Sequence, residues 1–178
     1  EKEQRYNWEL VFCELYAGGK YNNNTGDVYE YSLGLNGLGA CATQYSARYF
    51  DAVIRRDGFK YTLHFEKGKN VGGLSKEEYT KKRTGTVTRW KPDIEVFTEI
   101  NIEPEYFEDI LYRQSIVNAG ITFVFNHQTS EGMKTKEFLF EDGIVDYIKG
   151  MTEQKSMTPI TFWQDTAKGR DRADKPEY

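Results

Sequence analysis

The amino-acid sequence predicts an α+β fold in which helices pack on mostly antiparallel sheets. Apolar residues alternate strictly with polar ones over residues 59–65, which predicts a strand with one wet face. The Asp-Gly pair of Arg56-Asp57-Gly58 comes directly before that strand and is typical of a two-residue hairpin turn. Helix-like segments both precede and follow this hairpin region. That order of helices and hairpins fits the α+β class.

The first helix is predicted to start at the cap Asn7 and to end at Gly18-Gly19. The apolar side chains at helical spacing that define its inward face are Trp8, Val11, Phe12, Leu15 and Tyr16. Residues 20–33 are polar and predict a mobile loop that becomes ordered around a ligand. A second helix is predicted over residues 41–48. Its inward side chains are Leu38, Cys41, Ala42 and Tyr45.

Three strands are predicted next, over residues 49–55, 59–65 and 84–90, and Pro92 stops the third. Residues 67–82 between the second and third strands are charged. They predict a loop with a short helical turn at Ser75–Glu78. His64 falls on the wet face of the second strand, where we expect solvation and not catalysis.

Residues 94–102 predict a junction between two domains, and we divide the chain into residues 1–98 and 99–178. The second part is predicted to begin with a helix, which has Pro104 in its first turn and ends at residues 118–120. The side chains expected to face inward are Phe107, Ile110, Leu111 and Val117. A hairpin turning at residues 129–134 follows. Asp142 then caps a short helix with Ile144, Tyr147, Ile148 and Met151 inside, and residues 159–163 form one more strand.

The amino-acid composition limits the classes of function that this chain can have. The 178 residues carry a net charge of −4, which argues against this chain being a main DNA-binding surface. No apolar run approaches the roughly 20 residues of a membrane span, and we expect a cytoplasmic protein with no membrane partner. Cys13 and Cys41 are expected to be buried, reduced thiols. Because these cysteines lie far from each other and from His64 and His127, we predict no metal site.

The glycine-rich loop Gly34-Leu35-Asn36-Gly37-Leu38-Gly39-Ala40 is the strongest functional signal. Glycines allow positive φ angles and a close approach to a ligand, and the amides that open a helix attract anions. The order G-x-x-G-x-G is neither the dinucleotide fingerprint nor a P-loop. Two interpretations stay open from these residues alone: a phosphate-binding turn or an ordinary glycine-rich turn.

The neighbouring sequence resembles the ATP lid of the ATPase subunits of bacterial type II DNA topoisomerases, the B subunits of DNA gyrase and topoisomerase IV, which are Bergerat-fold ATPases. A lysine beside a glycine pair, Ala17-Gly18-Gly19-Lys20-Tyr21, leads through a polar link into the glycine loop. Further matches, in the family's order, are Arg56-Asp57-Gly58, Arg83-Thr84-Gly85-Thr86, Trp90-Lys91-Pro92-Asp93 and Phe140-Glu141-Asp142-Gly143-Ile144. The branch is divergent, since Glu30 stands where the usual lid carries a second lysine.

The resemblance implies that residues 1–98 are the C-terminal part of a Bergerat-type ATPase domain and residues 99–178 the start of a transducer domain. It implies that Thr86 lines the adenine pocket and that Arg56 lies at the pocket mouth, where aminocoumarins bind in the family. The ATP phosphates would be held by Lys20 and by Gly34, Leu35, Asn36, Gly37, Leu38 and Gly39.

By the same resemblance, the catalytic glutamate and the magnesium-binding asparagine lie upstream of these residues. We therefore expect an internal fragment, inactive alone and with no ligand bound, of a protein that uses ATP and Mg. The implied partners of the parent protein are DNA, the DNA-cleaving A-type subunit and a second copy of itself. Alternatives are a mismatch-repair or chaperone ATPase of the same fold, or a non-catalytic module that binds a phosphate ligand.

Overall fold

The structure, a computed structural model, describes residues 6–17, 37–152 and 155–163. These residues form two compact units that meet in sequence between Ile100 and Asn101. The assignment of residues 1–98 to an ATPase domain and of residues 99–178 to a transducer domain remains a prediction. Within the described parts of the chain, no helix combines the length and apolar character needed to cross a membrane.

The first unit is built on an antiparallel sheet in which the strand order is β3-β2-β1-β5, with β4 also paired to β2. The strands are β1 (Ala47–Arg56), β2 (Phe59–Glu66), β3 (Lys69–Asn70), β4 (Ser75–Glu78) and β5 (Gly85–Pro92). Asp57 and Gly58 join β1 to β2 with φ angles of 54° and 77°, as the predicted two-residue hairpin turn requires. The three predicted strands and this turn are confirmed.

The predicted helical turn at Ser75–Glu78 is wrong, because these residues form the strand β4. They pair with Phe59–Thr62 along β2. Lys76 holds its Nζ atom 3.8 Å from the centroid of the Phe59 ring, and Lys60 donates a 2.6 Å hydrogen bond to Glu77. Cross-strand contacts of this kind outweigh the weak local preference of the lysine and glutamate side chains for a helix.

Helix α1 (Asn7–Cys13) and helix α2 (Gly39–Tyr45) accompany the sheet. The core that α1 and the sheet share consists of Phe12, Ala47, Phe50, Ala52, Leu63 and Phe65. Phe12 lies 5.4 Å from Phe50 and 6.0 Å from Phe65, measured between ring centroids. The side chains of β1 and β2 that meet Phe12 all belong to one face of the sheet, which we call the helix face.

Helix α1 begins one residue earlier than predicted and ends well before the predicted Gly18-Gly19. Tyr6 and not Asn7 takes the cap position, and its N–H donates a 2.8 Å hydrogen bond to the Glu9 carboxylate. The helix ends at Cys13, and Tyr16 has a φ of 61°. Leu15 and Tyr16 are therefore exposed instead of continuing the inward face.

Helix α2 buries Cys41 as predicted, but Ala42 and Tyr45 are exposed and Gln44 is fully buried. The Tyr45 hydroxyl lies 3.4 Å from the carbonyl oxygen of Cys13, and its ring lies against Gly68, where an added Cβ would come within 2.8 Å of Cδ1. Tyr45 thus covers a loop, and the helix is rotated relative to the predicted orientation.

Strand β5 is the outer strand of the sheet beside β1. Its residues from Gly85 to Lys91 are exposed, including Val87 and Trp90. Among the described residues, β5 pairs with β1 and with no other strand. Within the described ranges, one edge of this strand therefore has no strand partner for its backbone N–H and C=O groups.

The second unit contains α3 (Pro104–Val117), β6 (Phe123–Thr129), β7 (Gly132–Phe138) and α4 (Ile144–Met151). Its best-packed point is an aromatic cluster in which the Tyr112 ring contacts the rings of Phe138, Phe140 and Tyr147. The predicted helix–hairpin–helix order of this part is confirmed, with Pro104 in the first turn of α3.

Several predictions for the second unit are wrong in detail. Asp142 does not cap α4, because Gly143 takes the cap position and the Asp142 N–H donates instead to Asp146 at 2.7 Å. The strand predicted over residues 159–163 is absent from these described residues. Apolar side chains predicted to lie inside but found exposed are Phe107, Ile110, Val117, Ile144, Ile148 and Met151.

Candidate functional site

The start of α2 carries the described part of the glycine loop. Gly37 has a φ of 60°, a left-handed angle that favours glycine, and Leu38 precedes the helix with φ −97° and ψ −32°. No side chain caps this end, and a Cβ added to Gly39 would find no atom within 4 Å. Gly37 and Gly39 are exposed, and the first amides of a helix have no hydrogen-bond partner within that helix. The other predicted phosphate-binding residues, Lys20, Gly34, Leu35 and Asn36, lie outside the described residues.

Thr86 and Arg56 project from the same face of the sheet. Thr86 pairs with Ile54 across β1 and β5, and Ile54 pairs with Tyr61 of β2. Arg56 follows Ile54 by two residues on β1, so its side chain shares the helix face with Thr86. Both side chains are exposed. The structure therefore brings together the two residues that the resemblance assigns to the adenine pocket and its mouth.

The Arg56 guanidinium is held by its neighbour in sequence. Its Nε donates a 2.8 Å hydrogen bond to the Asp57 carboxylate, which raises the pKa of Arg56. The side chain is 68% exposed, so this pair contributes little to stability. Arg56 can leave Asp57 at small cost and turn toward a ligand.

A cavity of about 300 Å³ lies where β5 begins. The residues that line it are Arg55, Tyr79, Arg83, Thr84, Gly85, Thr86 and Val87. Residues 83–86 form one of the strings that carry the family resemblance, so this string lines a concave surface. The sequence singled out Arg56, but the neighbouring Arg55 is the β1 residue that lines the cavity.

The Trp90-Lys91-Pro92-Asp93 string has a structural explanation in Asp93. This residue is 5% exposed, and its N–H donates a 3.1 Å hydrogen bond to the carbonyl oxygen of Ser46 at the end of α2. Its carboxylate accepts a 3.0 Å bond from the Glu95 N–H. Asp93 thus fixes the end of β5 to the end of the helix that the glycine loop opens.

The Phe140-Glu141-Asp142-Gly143-Ile144 string is explained by Gly143. Its φ of 56° and its position both require glycine, since an added Cβ would lie 2.9 Å from the Ile116 carbonyl oxygen and 3.0 Å from the Ala119 Cβ. The Gly143 N–H donates a 3.2 Å hydrogen bond to the carbonyl oxygen of Phe140. This string is therefore a close-packed turn against the end of α3.

Sequence reasoning missed Gln44. Its side chain is fully buried, and neither Oε1 nor Nε2 has a hydrogen-bond partner among the residues that the structure describes. An unpaired buried polar group costs about 1–3 kcal/mol, so a residue of this kind calls for a functional or solvent partner. Gln44 lies on α2, one turn after the glycine loop. A glutamine inside an otherwise apolar helix pattern is the signal that could have found it.

His64 lies on the other face of the sheet from Thr86, which we call the polar face. Its Nδ1 lies 2.6 Å from Asp51 Oδ1 and its Nε2 lies 3.3 Å from Glu66 Oε1. These hydrogen bonds, that to Asp51 foremost, raise the pKa of His64. The side chain is 39% exposed, which agrees with the predicted wet face.

The chain is similar to two groups of bacterial proteins. It is 31% identical over 163 residues to the B subunit of DNA topoisomerase 4 from Enterococcus faecalis, in an alignment that covers 90% of this chain and 23% of that protein. It is 32% identical over 154 residues to the B subunit of DNA gyrase from Thermotoga maritima, and here the alignment covers 86% of this chain and 23% of that protein. No protein-family profile matches the chain.

The fold has a close counterpart among solved structures. The 43K ATPase domain of Thermus thermophilus gyrase B, in complex with an aminocoumarin, aligns with 85% of this chain at a TM-score of 0.66 and 20% identity. The aligned part makes up 36% of that chain. The resemblance inferred from the sequence strings and the α+β fold are thereby confirmed. The chain spans about a quarter of the length of the curated relatives it matches.

Proposed function

We propose that this chain is a section of the ATP-binding subunit of a bacterial type II DNA topoisomerase. The parent protein is then an isomerase that hydrolyses ATP to drive one DNA duplex through another. The observation that carries the proposal is the similarity of 86–90% of the chain to the B subunits of gyrase and topoisomerase IV. The placement of Thr86 and Arg56 on one face of the sheet supports it.

In this proposal the described residues contribute to binding both the base and the phosphates of ATP. The uncapped start of α2 after Gly37 offers amides to an anion, and the helix dipole adds to the attraction. In this proposal Thr86 lines the adenine pocket and Arg56 stands at its mouth. Lys20 supplies a point charge to the terminal phosphates, together with the amides of residues 34–39.

Mg²⁺ is assigned to no residue here. Among the described residues, no group of three or more His, Cys, Asp or Glu side chains is placed to hold a metal ion. In the parent protein a magnesium ion would neutralise charge that develops on the phosphates. The contribution of this chain is to bind and orient ATP, and we assign no catalytic group to it.

The proposal implies binding partners for the parent protein. The parent protein acts on DNA together with a DNA-cleaving A-type subunit, and it dimerises through its ATPase domain. Since the substrate is the bacterial chromosome, the proposal places the protein in the cytoplasm. The region from residue 99 onward is the start of the transducer domain, which relays the state of the nucleotide.

The proposal is tested by ATP hydrolysis of the full-length protein that contains this chain. We expect Lys20→Ala to lower kcat/KM for ATP at least tenfold, a loss of about 1.4 kcal/mol of transition-state stabilisation. Glu30→Ala should leave kcat/KM unchanged or raise it, because a carboxylate facing the phosphates would repel them.

Lys149→Ala is the matched control, since Lys149 lies in α4 and is paired with Asp146 at 3.2 Å. Its ATP hydrolysis should equal that of the wild type. Full activity of the Lys20→Ala protein would contradict the assignment of residues 18–39 as the ATP lid. Absence of DNA-stimulated ATP hydrolysis in the wild-type protein would contradict the topoisomerase function itself.

A further inference from the structure

The polar face of the five-stranded sheet holds a set of cations that the nucleotide site does not use. Three of them come from β1 and β5. Arg55 shares a row with Gly85 and Lys60, and Arg89 shares a row with Asp51. Lys91 shares a row with Tyr49 and Glu66. Directly opposed residues of antiparallel strands project to the same side, so these cations lie on the face opposite to Thr86.

The carboxylates in the strand rows of this face are already engaged. Asp51 and Glu66 lie 2.6 Å and 3.3 Å from the two His64 ring nitrogens. Glu77 accepts a 2.6 Å hydrogen bond from Lys60. Among the described residues, no carboxylate lies within ion-pair distance of Arg55, Arg83, Arg89 or Lys91. This side of the sheet therefore carries uncompensated positive charge although the whole chain has a net charge of −4.

One of these cations, Arg55, meets a further arginine, Arg83, at the 300 Å³ cavity where β5 begins. Arg55 and Arg83 both line it, together with Tyr79. The Arg55 guanidinium lies 5.7 Å from the centroid of the Tyr79 ring, and the Tyr79 N–H donates a 2.8 Å hydrogen bond to the Gly58 carbonyl oxygen. The cavity is thus anchored to the β1–β2 hairpin. Gly85 also lines the cavity, and a Cβ added there would find no atom within 4 Å.

The chemistry of this surface suits phosphate groups. A guanidinium presents a planar fork of donors that matches the oxygens of a phosphate, and a tyrosine hydroxyl adds a further donor. Arg89 and Lys91, two residues apart on β5, are about 6.6 Å apart along the strand. The cavity and β5 together offer a line of cations and not a single point.

We propose that the surface formed by Arg55, Tyr79, Arg83, Arg89 and Lys91 binds the sugar–phosphate backbone of duplex DNA. The choice of DNA as the source of the phosphates rests on the proposed function, whereas the phosphate chemistry rests on the surface itself. Binding is independent of base sequence, because the contacts are to phosphates. The strand residues of this surface, Arg55, Arg89 and Lys91, project from the face of the sheet opposite to Thr86, although Thr86 also lines the cavity. Binding does not need ATP.

The test is fluorescence anisotropy of a labelled 20-bp duplex titrated with the full 178-residue chain, without nucleotide or Mg²⁺, at 50–200 mM NaCl. With four phosphates neutralised, the slope of log K against log salt should be about −3.6, a loss of about 100-fold over this range. Arg55→Gln/Arg83→Gln should reduce the slope by about 1.8 and weaken binding at least tenfold at 50 mM NaCl. Arg89→Gln/Lys91→Gln, which leaves the cavity intact, should have the same effect.

The matched control is Arg113→Gln/Lys134→Gln. It also removes two positive charges, but from exposed ion pairs of the second unit. It should keep the wild-type slope and affinity. The proposal would be overturned in favour of diffuse charge attraction if the control weakened DNA binding as much as the surface variants do. It would also be overturned if both double variants of the surface bound DNA as tightly as the wild type.

Pyrophosphate, added at matched ionic strength, separates a small anion from DNA as the source of the phosphates. The proposal is supported if pyrophosphate displaces the duplex no more than chloride does at the same ionic strength. Displacement at micromolar pyrophosphate would replace DNA with a small phosphate ligand and overturn it. Because the assay contains no ATP, its failure would leave the ATP-hydrolysis test of the proposed function unaffected, and the reverse also holds.

Discussion

At the scale of single residues, His64 shows how the polar face links charge to stability. Its ring bridges the carboxylates of Asp51 and Glu66 on two neighbouring strands. The charged form of the ring is favoured in the folded protein, so the pKa of His64 is raised above its ordinary value of 6.5. A pKa that differs between the folded and unfolded states makes stability depend on pH.

The sign follows from the direction of the shift. A raised folded pKa means that the stabilisation is complete below the unfolded value and is lost as pH rises through the folded value. We expect the wild type to exceed His64→Gln in free energy of unfolding by less than about 1 kcal/mol in acid, because the pair is exposed. Above the folded pKa this difference should vanish. Urea unfolding of both proteins between pH 5 and pH 9 measures it.

Asp51→Asn provides the control, because it removes the main cause of the shift. In that background the His64→Gln substitution should have a much smaller pH-dependent effect. If the difference in free energy of unfolding between wild type and His64→Gln grew with rising pH, the pKa of His64 would not be raised by folding.

At the scale of helices, strands and turns, the turn at Gly143 shows most clearly how backbone geometry restricts a position to glycine. Gly143→Ala should lower the free energy of unfolding of the second unit by about 1–3 kcal/mol, from its positive φ and from crowding against Ile116 and Ala119. Gly150→Ala is the matched control. Gly150 lies inside α4 with open space around it, and alanine there should stabilise by about 0.5–1 kcal/mol.

Thermal unfolding followed by circular dichroism compares the two variants. A Gly143→Ala protein as stable as the wild type would mean that the turn relaxes without cost, and that the string around it is not needed for packing.

The hairpin β1–β2 could be predicted from sequence because its signals are local. The Asp57-Gly58 pair and the alternation that follows fix both turn and register. Strand β4 could not be predicted, since Ser75–Glu78 becomes a strand only through pairing with β2. The orientation of α2 also depends on tertiary contacts, as Tyr45 shows by packing against Gly68.

The candidate site was predictable only in part, for a related reason. Thr86 and Arg56 were found through the resemblance, and the alternation of strand residues then places them on one face. The cations of the polar face are spread over residues 55–91, so only the pairing of β1 with β5 brings them together. Gln44 interrupts an apolar helix pattern, but whether that amide is buried depends on the residues that surround it in the fold.

At the scale of the whole molecule, the two units differ in how much core they bury. Five of the six residues of the first unit's core cluster, such as Phe65, come from β1 and β2. In the second unit, Phe138 is the described apolar side chain that is buried. Isolated hairpins and helices with so small a core are marginal in water. We infer that the first unit supplies most of the stability of the described chain.

The open edge of β5 has a consequence for how this chain behaves at high concentration. An exposed strand edge is a template on which another copy can pair, and the apolar side chain of Val87 makes that pairing more favourable. The 178-residue chain should therefore self-associate as its concentration rises, by strand addition. Val87→Lys should suppress this association, because a lysine on an edge strand disfavours pairing.

Light scattering over a series of protein concentrations measures the self-association of the wild type and of Val87→Lys. Val117→Lys, on the exposed surface of α3, adds the same charge away from any strand edge and should leave the association unchanged. Association that both lysines suppress equally would point to net charge as the cause. A strand that paired with the outer edge of β5 would remove this template and so suppress aggregation seeded there.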